Sequence, residues 1–506
     1  MKNDYLVLES VVKEKEGKKL YDYQKNDLDE IFRRINEHPD NYNFLYQLPT
    51  GGGKTVIFTE IAKRYIQETG KKALVLTHRI ELCKQTSNML CEFGVKNKII
   101  NSKVKELPDQ ADFTCFVAMV ETLNNRLNDG LDIGDVGLVI IDEAHYNSFR
   151  KLFKHFEKCI ILGVTATPLS SNIKLPMYEN YDELIVGNSI NSLIESGFLS
   201  KATTYSFDVS LRSLRIGING DYTVRSSELL YGNYSMLEKL LYAYEQKSKN
   251  KKTLIFNNGI NTSKLVHETF YNAGYDVKHL DNTNSDNERK EIIQWFKDTP
   301  NAILSSVGIL TTGFDEPTVD TIILNRATKS LTLYHQMIGR GSRVLPNKKE
   351  FTVIDMGNNA ARFGLWSTPI DWYAIFKSPD FYLQNIVDDE EIERQFRYLM
   401  PEELREKFKN STDLNFDIKA DYKNVLQNGL RPKVAIDNSI NHHAKICVEN
   451  AEEQMDSLAL VDLLKDDIEY KVKQYSYCIC KSTPSYIKWL REEYTRKLRY
   501  AVRQAY

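Results

Sequence analysis

No run in this 506-residue chain approaches the roughly 18 consecutive apolar side chains that a membrane span needs, so no membrane role is expected. Met1 to Lys19 is charged and holds no apolar signal core, which points to a cytoplasmic protein. The seven cysteines are scattered, and none belongs to the doubled pair of a zinc module. Cys478 and Cys480 stand one residue apart with only Cys447 nearby upstream, so reduced thiols are expected. A net charge of -2 leaves no global excess of either sign. That does not exclude a polyanionic partner, because a nucleic-acid binder can confine its basic surface to one groove. A hydrophobic fraction of 42% and a charged fraction of 27% describe an ordinary globular chain, long enough for two or three domains.

Against these absences one stretch stands out, Gln47-Leu48-Pro49-Thr50-Gly51-Gly52-Gly53-Lys54-Thr55. A short apolar run leads in from Asn43, and an amphipathic run, Val56 to Ile66, leads out. Strand, glycine loop and helix in that order suit a triphosphate. The glycines turn successive N–H groups inward, and the helix adds the positive end of its dipole. Lys54 is placed to reach the β- and γ-phosphates, and Thr55 to hold Mg²⁺ through its hydroxyl. The strict phosphate-loop pattern wants glycine where this chain has Leu48.

Upstream, Leu20-Tyr21-Asp22-Tyr23-Gln24 opens a helical run. Gln24 offers the donor and acceptor that an adenine edge requires, with Tyr21 as a stacking partner, although a plain helix N-terminus reads the same way. Downstream, Val136 to Ile141 runs into Asp142-Glu143-Ala144-His145. Adjacent acids at a strand end call for a cation. Asp142 would hold Mg²⁺, and Glu143 would orient and deprotonate an attacking water. Thr165-Ala166-Thr167 ends another strand, where small hydroxyls can link the acids to a neighbouring domain. A second α/β set runs from Lys252 to Met356, with a helix capped by Ser285 and a basic helix carrying Arg340 and Arg343 on one face. Such a pair is more often plain surface. The tail interleaves Lys481, Lys488, Arg491, Arg496, Lys497, Arg499 and Arg503 with Tyr486, Trp489, Tyr494 and Tyr500. That pattern fits nucleic acid, and equally a solvated helix with one packed aromatic face.

In order, these motifs resemble a superfamily 2 helicase of the DEAH/ResIII type over roughly residues 18 to 360. Tyr23-Gln24 resembles the adenine motif, Gly51 to Thr55 motif I, Asp142 to His145 motif II and Thr165 to Thr167 motif III. Thr311 to Asp315 resembles motif V, and Gln336 to Arg343 fits Q-x-x-G-R-x-x-R, motif VI. Asp355-Met356-Gly357-Asn358-Asn359, with Arg362-Phe363-Gly364 and the Leu193 to Leu199 segment, is similar to RadD-like bacterial and phage repair helicases, although no four-cysteine zinc module follows.

The resemblance implies an α/β fold of two tandem RecA-like domains, parallel sheets flanked by helices, plus a mainly helical C-terminal region. The expected boundaries are 1–200 for the ATP-binding domain, 201–240 for a linker or hairpin, 241–375 for the second domain and 376–506 for an accessory region. It implies ATP and Mg²⁺ as cofactors. Thr50, Gly51, Gly52, Gly53, Gly313 and Asp315 would join the nucleotide site, Arg343 would be the arginine finger with Arg340 in support, and Gln336 would position the water. Thr77, His78, Arg79, Thr122, Asn257 and Thr311 match the nucleic-acid contact motifs. The expected activity is ATP-dependent unwinding or translocation on single-stranded or branched DNA in repair, recombination or replication, in a bacterial or phage-infected cell. The alternatives are an RNA helicase, a duplex-DNA motor of a restriction or defence system, and an ATP-gated clamp or annealing module.

Overall fold

In the computed structural model the described residues are 20–101, 113–172, 174–311, 313–389, 392, 400–411, 414, 416–479 and 484–506. Two expectations fall outside them: the charged segment Met1 to Lys19, and Lys481 in the tail.

Aliphatic runs too short for helices become buried strands. In the first domain these are β1 (Tyr42–Gln47), β2 (Lys72–Thr77), β3 (Asn97–Ile100), β4 (Cys115–Met119), β5 (Val136–Asp142), β6 (Ile160–Thr165) and β7 (Glu183–Val186). They form one parallel sheet in the order β3-β4-β2-β5-β6-β1-β7. Every residue of β5 is buried, as expected of a parallel strand covered on both faces. Alternate side chains divide between two cores: Phe44, Val75 and Ile140 on one face, Leu45, Leu74 and Ile141 on the other. Helices α1 (Asp22–Glu37), α2 (Lys54–Thr69), α3 (Ile80–Glu92) and α4 (Val120–Asn128) flank the sheet. Register then sets the chemistry. Gln47 pairs with Thr165, and Asp142 with Val164, so the loop after β1, the hydroxyl motif after β6 and the acids after β5 share one sheet edge.

The second domain repeats the plan. Its helices are α5 (Ile190–Glu195), α6 (Val224–Tyr231), α7 (Tyr234–Ser248), α8 (Ile260–Asn272), α9 (Asp286–Asp298) and α10 (Leu331–Gly339). Strands β8 (Lys201–Ser206), β9 (Thr253–Asn257), β10 (Val277–Leu280), β11 (Ile303–Val307), β12 (Thr321–Asn325) and β13 (Glu350–Asp355) form a parallel sheet in the order β10-β11-β9-β12-β13-β8. Ser285 caps α9 as expected, accepting from the Glu288 N–H while the Glu288 carboxylate accepts from the Ser285 N–H. Residues 201–240, expected as linker, supply edge strand β8, helix α6 and the start of α7. Ile190, Leu193 and Leu199 already pack in the second core. A short antiparallel bridge, Ile216 to Tyr222, supplies the anticipated hairpin.

The run Asp355 to Asn359 closes the end of this sheet. The Asp355 carboxylate accepts from the N–H groups of Gly357 and Ala360 and from the Asn359 amide, which also donates to the Arg326 carbonyl. A Cβ on Gly357 would lie 2.1 Å from that carbonyl oxygen, closer than any side chain tolerates. Gly357→Ala is therefore expected to lower the unfolding free energy by about 3 kcal/mol, measured by urea denaturation, because backbone rather than a flexible side chain would have to yield.

Beyond this point the chain doubles back. After α11 (Asn359–Phe363), helix α12 (Trp372–Lys377) places Phe376 in a core of the first domain, and α13 (Pro379–Gln384) follows. Helices α14 (Ile418–Gln427), α15 (Val434–Glu449), α16 (Gln454–Leu463), α17 (Lys465–Cys478) and α18 (Pro484–Gln504) then enclose a separate core around Ile440, Val472 and Leu498. Much of the tail's basic character is spent within this bundle. Arg496 pairs with Glu493, Lys497 with Asp437, Arg499 with Asp462 and Arg491 with Glu469, while Tyr494 is buried against Ser439 and His443. Along its C-terminal half α18 is thus the solvated helix with a packed aromatic face. Among the described residues no helix is long and apolar enough to cross a membrane.

Candidate active site

The glycine loop is built by two left-handed residues, Gly51 at φ +96° and Gly53 at φ +84°, which a side chain would strain. Leu48, the departure from the strict pattern, is fully buried, and its side chain packs beneath Gly52. The Tyr23 hydroxyl donates to the Gly52 carbonyl at 2.7 Å, tying α1 to the loop. Close approach across the domains also needs glycine. A Cβ on Gly51 would lie 2.7 Å from Ser342 Oγ and 2.8 Å from Arg343 Nη1. One on Gly339 would lie 2.6 Å from Thr50 Cβ.

These contacts wall a cleft of about 720 Å³ between the domains. Tyr21, Gln24, Thr50, Gly51, Gly53, Lys54, Thr55, Asp142 and Glu143 enter it from the first domain, and Gly313, Asp315, Arg340 and Arg343 from the second. At its outer end the Tyr21 ring is half exposed and 4.4 Å from the Phe198 ring. Phe198 lines the cleft too, a role its sequence position did not suggest. Gln24 has already committed its Oε1, which accepts from the Tyr21 N–H at 3.0 Å in a capping box, while its Nε2 sits over Gly53. Both readings of Gln24 thus hold in part: it caps its helix, and its amide N–H₂ faces the cleft.

At the inner end three charges are buried together. Burial pulls the Lys54 ammonium below its ordinary value, against the support of Glu143 and Asp142. Burial and the neighbouring Glu143 push Asp142 up to about 7, opposed by Lys54. Glu143 goes down in spite of its burial, because Lys54, His145 and Arg340 favour its charge. Of the two adjacent carboxyls, Glu143 is thereby the one whose charge the surrounding cations favour. Glu143 itself adopts φ +53°, a costly left-handed conformation, and its Oε2 is buried without a hydrogen-bond partner among the described residues. One carboxylate, one hydroxyl and the oxygens of a bound phosphate are a donor set that fits Mg²⁺, so Asp142 and Thr55 suit that ion.

A chain of hydroxyls leads from the acids to the other domain. His145 Nδ1 lies 3.5 Å from Glu143 Oε2 and 3.1 Å from Thr165 Oγ1. Thr165 donates to the Thr167 carbonyl, and Thr167 Oγ1 donates to Thr332 Oγ1 at 2.8 Å, in the first turn of α10. The expected link is thus a continuous path. The two arginines beyond α10 divide their work. Arg340 donates to the carbonyls of Thr311 and Phe314 and so holds the loop before Asp315. Arg343 Nε donates to Asp315 Oδ1 at 2.6 Å and turns Nη1 towards Gly51. Gln336 is buried, its Nε2 without a partner among the described residues, and it stands behind the cleft wall rather than on it.

The residues expected to meet nucleic acid are not equally placed. Arg79 lines a second groove between the domains, of about 840 Å³, and donates to the Ile309 carbonyl at 3.3 Å. Arg289 pairs with Glu81 across the same groove at 3.2 Å. Thr122 is half-buried at the start of α4. Three positions need correction. Thr77 is fully buried, its hydroxyl spent on the Arg79 carbonyl and Cys83. Asn257 is buried in a network with Ser305 and Asn325 that fixes the strand ends. Thr311 is buried, its hydroxyl donating to the Gly308 carbonyl and its own carbonyl oxygen accepting from Arg340. His78 stacks on Tyr146 at 4.3 Å, and burial lowers its imidazole to about 4, leaving it neutral.

Comparison with known proteins agrees with this geometry. Residues 17–170 match the family described as type III restriction enzyme, res subunit, and residues 232–344 match the helicase conserved C-terminal domain. IRC3 of Saccharomyces cerevisiae, assigned as an ATP-dependent helicase, is 30% identical over 370 residues, covering 69% of this chain and 53% of that protein. A 51.5 kDa protein of a Lactococcus phage is 28% identical, covering 66% of this chain and 70% of its own length. The type I restriction enzyme EcoAI endonuclease subunit of Escherichia coli is 24% identical, covering 62% of this chain and 43% of the subunit. The chain therefore spans about half the length of the yeast relative. Among solved structures, the type ISP restriction-modification enzyme LlaBIII bound to DNA shares the fold at a TM-score of 0.53 and 14% identity, covering 97% of this chain and 42% of that one.

Proposed function

The chain belongs to the superfamily 2 helicases, with ResIII and helicase C-terminal domains in tandem, and from that premise we propose that it is an ATP-driven DNA helicase or translocase of repair, recombination or fork processing. The observation that carries the reading is the composite cleft: Lys54, Asp142 and Glu143 on one sheet edge face Arg340 and Arg343 on the other. Neither domain holds all the groups that phosphoryl transfer requires.

Lys54 and the glycine-loop N–H groups bind the β- and γ-phosphates, and Tyr21 with Phe198 takes the base. Thr55 and Asp142 would hold Mg²⁺, which would supply charge neutralisation at the phosphate oxygens. Glu143 accepts the proton of the attacking water at its unpartnered Oε2. Arg343 stabilises the transition-state charge. The Thr167–Thr332 contact ties the state of the acids to α10, so hydrolysis and domain closure move together. A strand in the groove beside Arg79 touches both domains and favours closure. Contacts of that kind are to sugar and phosphate, so structure rather than sequence would be selected. The likeness of Asp355 to Asn359 to the RadD-like run supports the repair assignment.

The test is steady-state ATP hydrolysis with no nucleic acid, single-stranded, forked and duplex DNA, and RNA. Stimulation by single-stranded or forked DNA is the expected result, with Lys54→Ala abolishing turnover on every substrate. Stimulation by RNA alone overturns the DNA assignment. The relative among type I restriction subunits favours a second reading, a duplex-DNA motor. Stimulation by duplex alone, with triplex displacement and no strand separation, would select it.

A further inference from the structure

A third groove, of about 600 Å³, lies between α7 and the C-terminal bundle. Lys239, Tyr242 and Glu238 of α7 line one wall, and Lys473, Lys488 and Arg491 of α17 and α18 line the other. Glu469 is engaged by Arg491 at 3.6 Å. Among the described residues no carboxylate pairs with Lys473 or Lys488. That separates them from Arg496, Lys497 and Arg499 further along α18, each of which meets an acid of its own bundle. Lys239 donates to the Asp208 carbonyl, and burial together with Lys473 pulls its ammonium down to about 7. Lys473 and Lys488 thus bring unpaired positive charge to one groove, beside Lys239.

The surroundings name the kind of anion. Tyr242 is 58% exposed at the groove, and Trp489, 42% exposed, lies next to Lys488 with its ring 5.5 Å from that of Tyr486. Exposed aromatics beside clustered cations suit stacked bases and a phosphate backbone better than a compact phosphate ligand. The position also fits an extended ligand. Helix α6 carries Val224 into the groove beside Arg79 and packs on α7, which lines the third groove with Lys239 and Tyr242, so one helix pair borders both grooves. The helix α7 side of the second sheet faces away from α10 and the ATP cleft, their residues belonging to separate cores.

We propose that the groove of Lys239, Lys473, Lys488 and Arg491, with Tyr242 at its rim, is a second binding site for the same nucleic-acid strand after it leaves the interdomain groove. The proposal rests on the reading of the chain as a nucleic-acid motor. Its test is binding of fluorescein-labelled single-stranded DNA of about 10 and about 30 nucleotides to the full chain over a range of salt. For the wild type the longer strand should bind about tenfold more tightly or better. Lys473→Glu with Lys488→Glu should remove that advantage and lower the salt slope for the long strand by about 1.4, the value for two lost phosphate contacts, while the short strand binds as before. Arg496→Gln with Arg499→Gln, on the same helix, should change neither. Equal binding of both lengths by the wild type overturns the second site and leaves the motor reading intact, whereas a wild type that binds neither length overturns both. Equal loss from the two double variants would reveal only a general charge effect and overturn the site. Removal of the long-strand advantage by equimolar tripolyphosphate would assign the groove to a small phosphate ligand, again overturning the proposal.

Discussion

Arg343→Ala is expected to slow ATP turnover by about 10³-fold or more while nucleotide affinity changes little. The guanidinium is held by one bond, Nε to Asp315 at 2.6 Å, and its Nη1 lies against Gly51 at the mouth of the phosphate loop. Its remaining donors can therefore meet charge that develops only in the transition state. Arg340 is the internal contrast. It is half-buried and commits its donors to the carbonyls of Thr311 and Phe314. Removing it should loosen the loop that carries Asp315 and cost both binding and turnover. Stopped-flow binding of a fluorescent nucleotide beside steady-state kcat separates the two. A pure kcat effect for Arg340→Ala, with joint loss for Arg343→Ala, would reverse the roles. Arg343→Lys should rescue little, because an ammonium lacks the planar fork that reaches Asp315 and the loop together.

The parts legible in the sequence are those whose physics is local. A glycine loop between strand and helix, adjacent acids at a strand end and a capped helix at Ser285 each declare themselves within about ten residues, and the structure places them where the spacing implied. Polar residues at strand ends were not decidable in the same way. Thr77 and Asn257 sit beside residues that do reach a groove, yet their side chains are spent on Cys83, Ser305 and Asn325, partners that only the fold brings near. Edge strand β8 escaped because Lys-Ala-Thr-Thr-Tyr-Ser has almost no apolar content, and one side of an edge strand meets solvent rather than a core. The tail stayed open between two readings for a third reason. The acids that neutralise Lys497 and Arg499, Asp437 and Asp462, lie on other helices, so a basic run in the sequence becomes a balanced surface in the bundle.

Glu143→Gln is expected to lower kcat by about 10²–10⁴-fold with ATP still bound. The argument turns on asymmetry between two neighbours. Asp142 is driven up to about 7 by burial and by the Glu143 charge, whereas Glu143 is held ionised by Lys54, His145 and Arg340. Of the two, Glu143 combines a favoured charge with a buried Oε2 that makes no hydrogen bond among the described residues, so it is the group able to take a proton from water. Glutamine keeps the shape but cannot accept that proton. The substitution should also preserve the fold, since glutamine costs no more than glutamate at φ +53° and the Tm should move by only a few degrees. With hydrolysis blocked and closure intact, the Thr167–Thr332 link should hold the domains together on the strand, so dissociation from single-stranded DNA in ATP should slow relative to the wild type. Normal turnover by Glu143→Gln would move the base elsewhere in the cleft. Slow turnover with unchanged strand release would leave Glu143 as the base and break the proposed coupling through His145, Thr165 and Thr167.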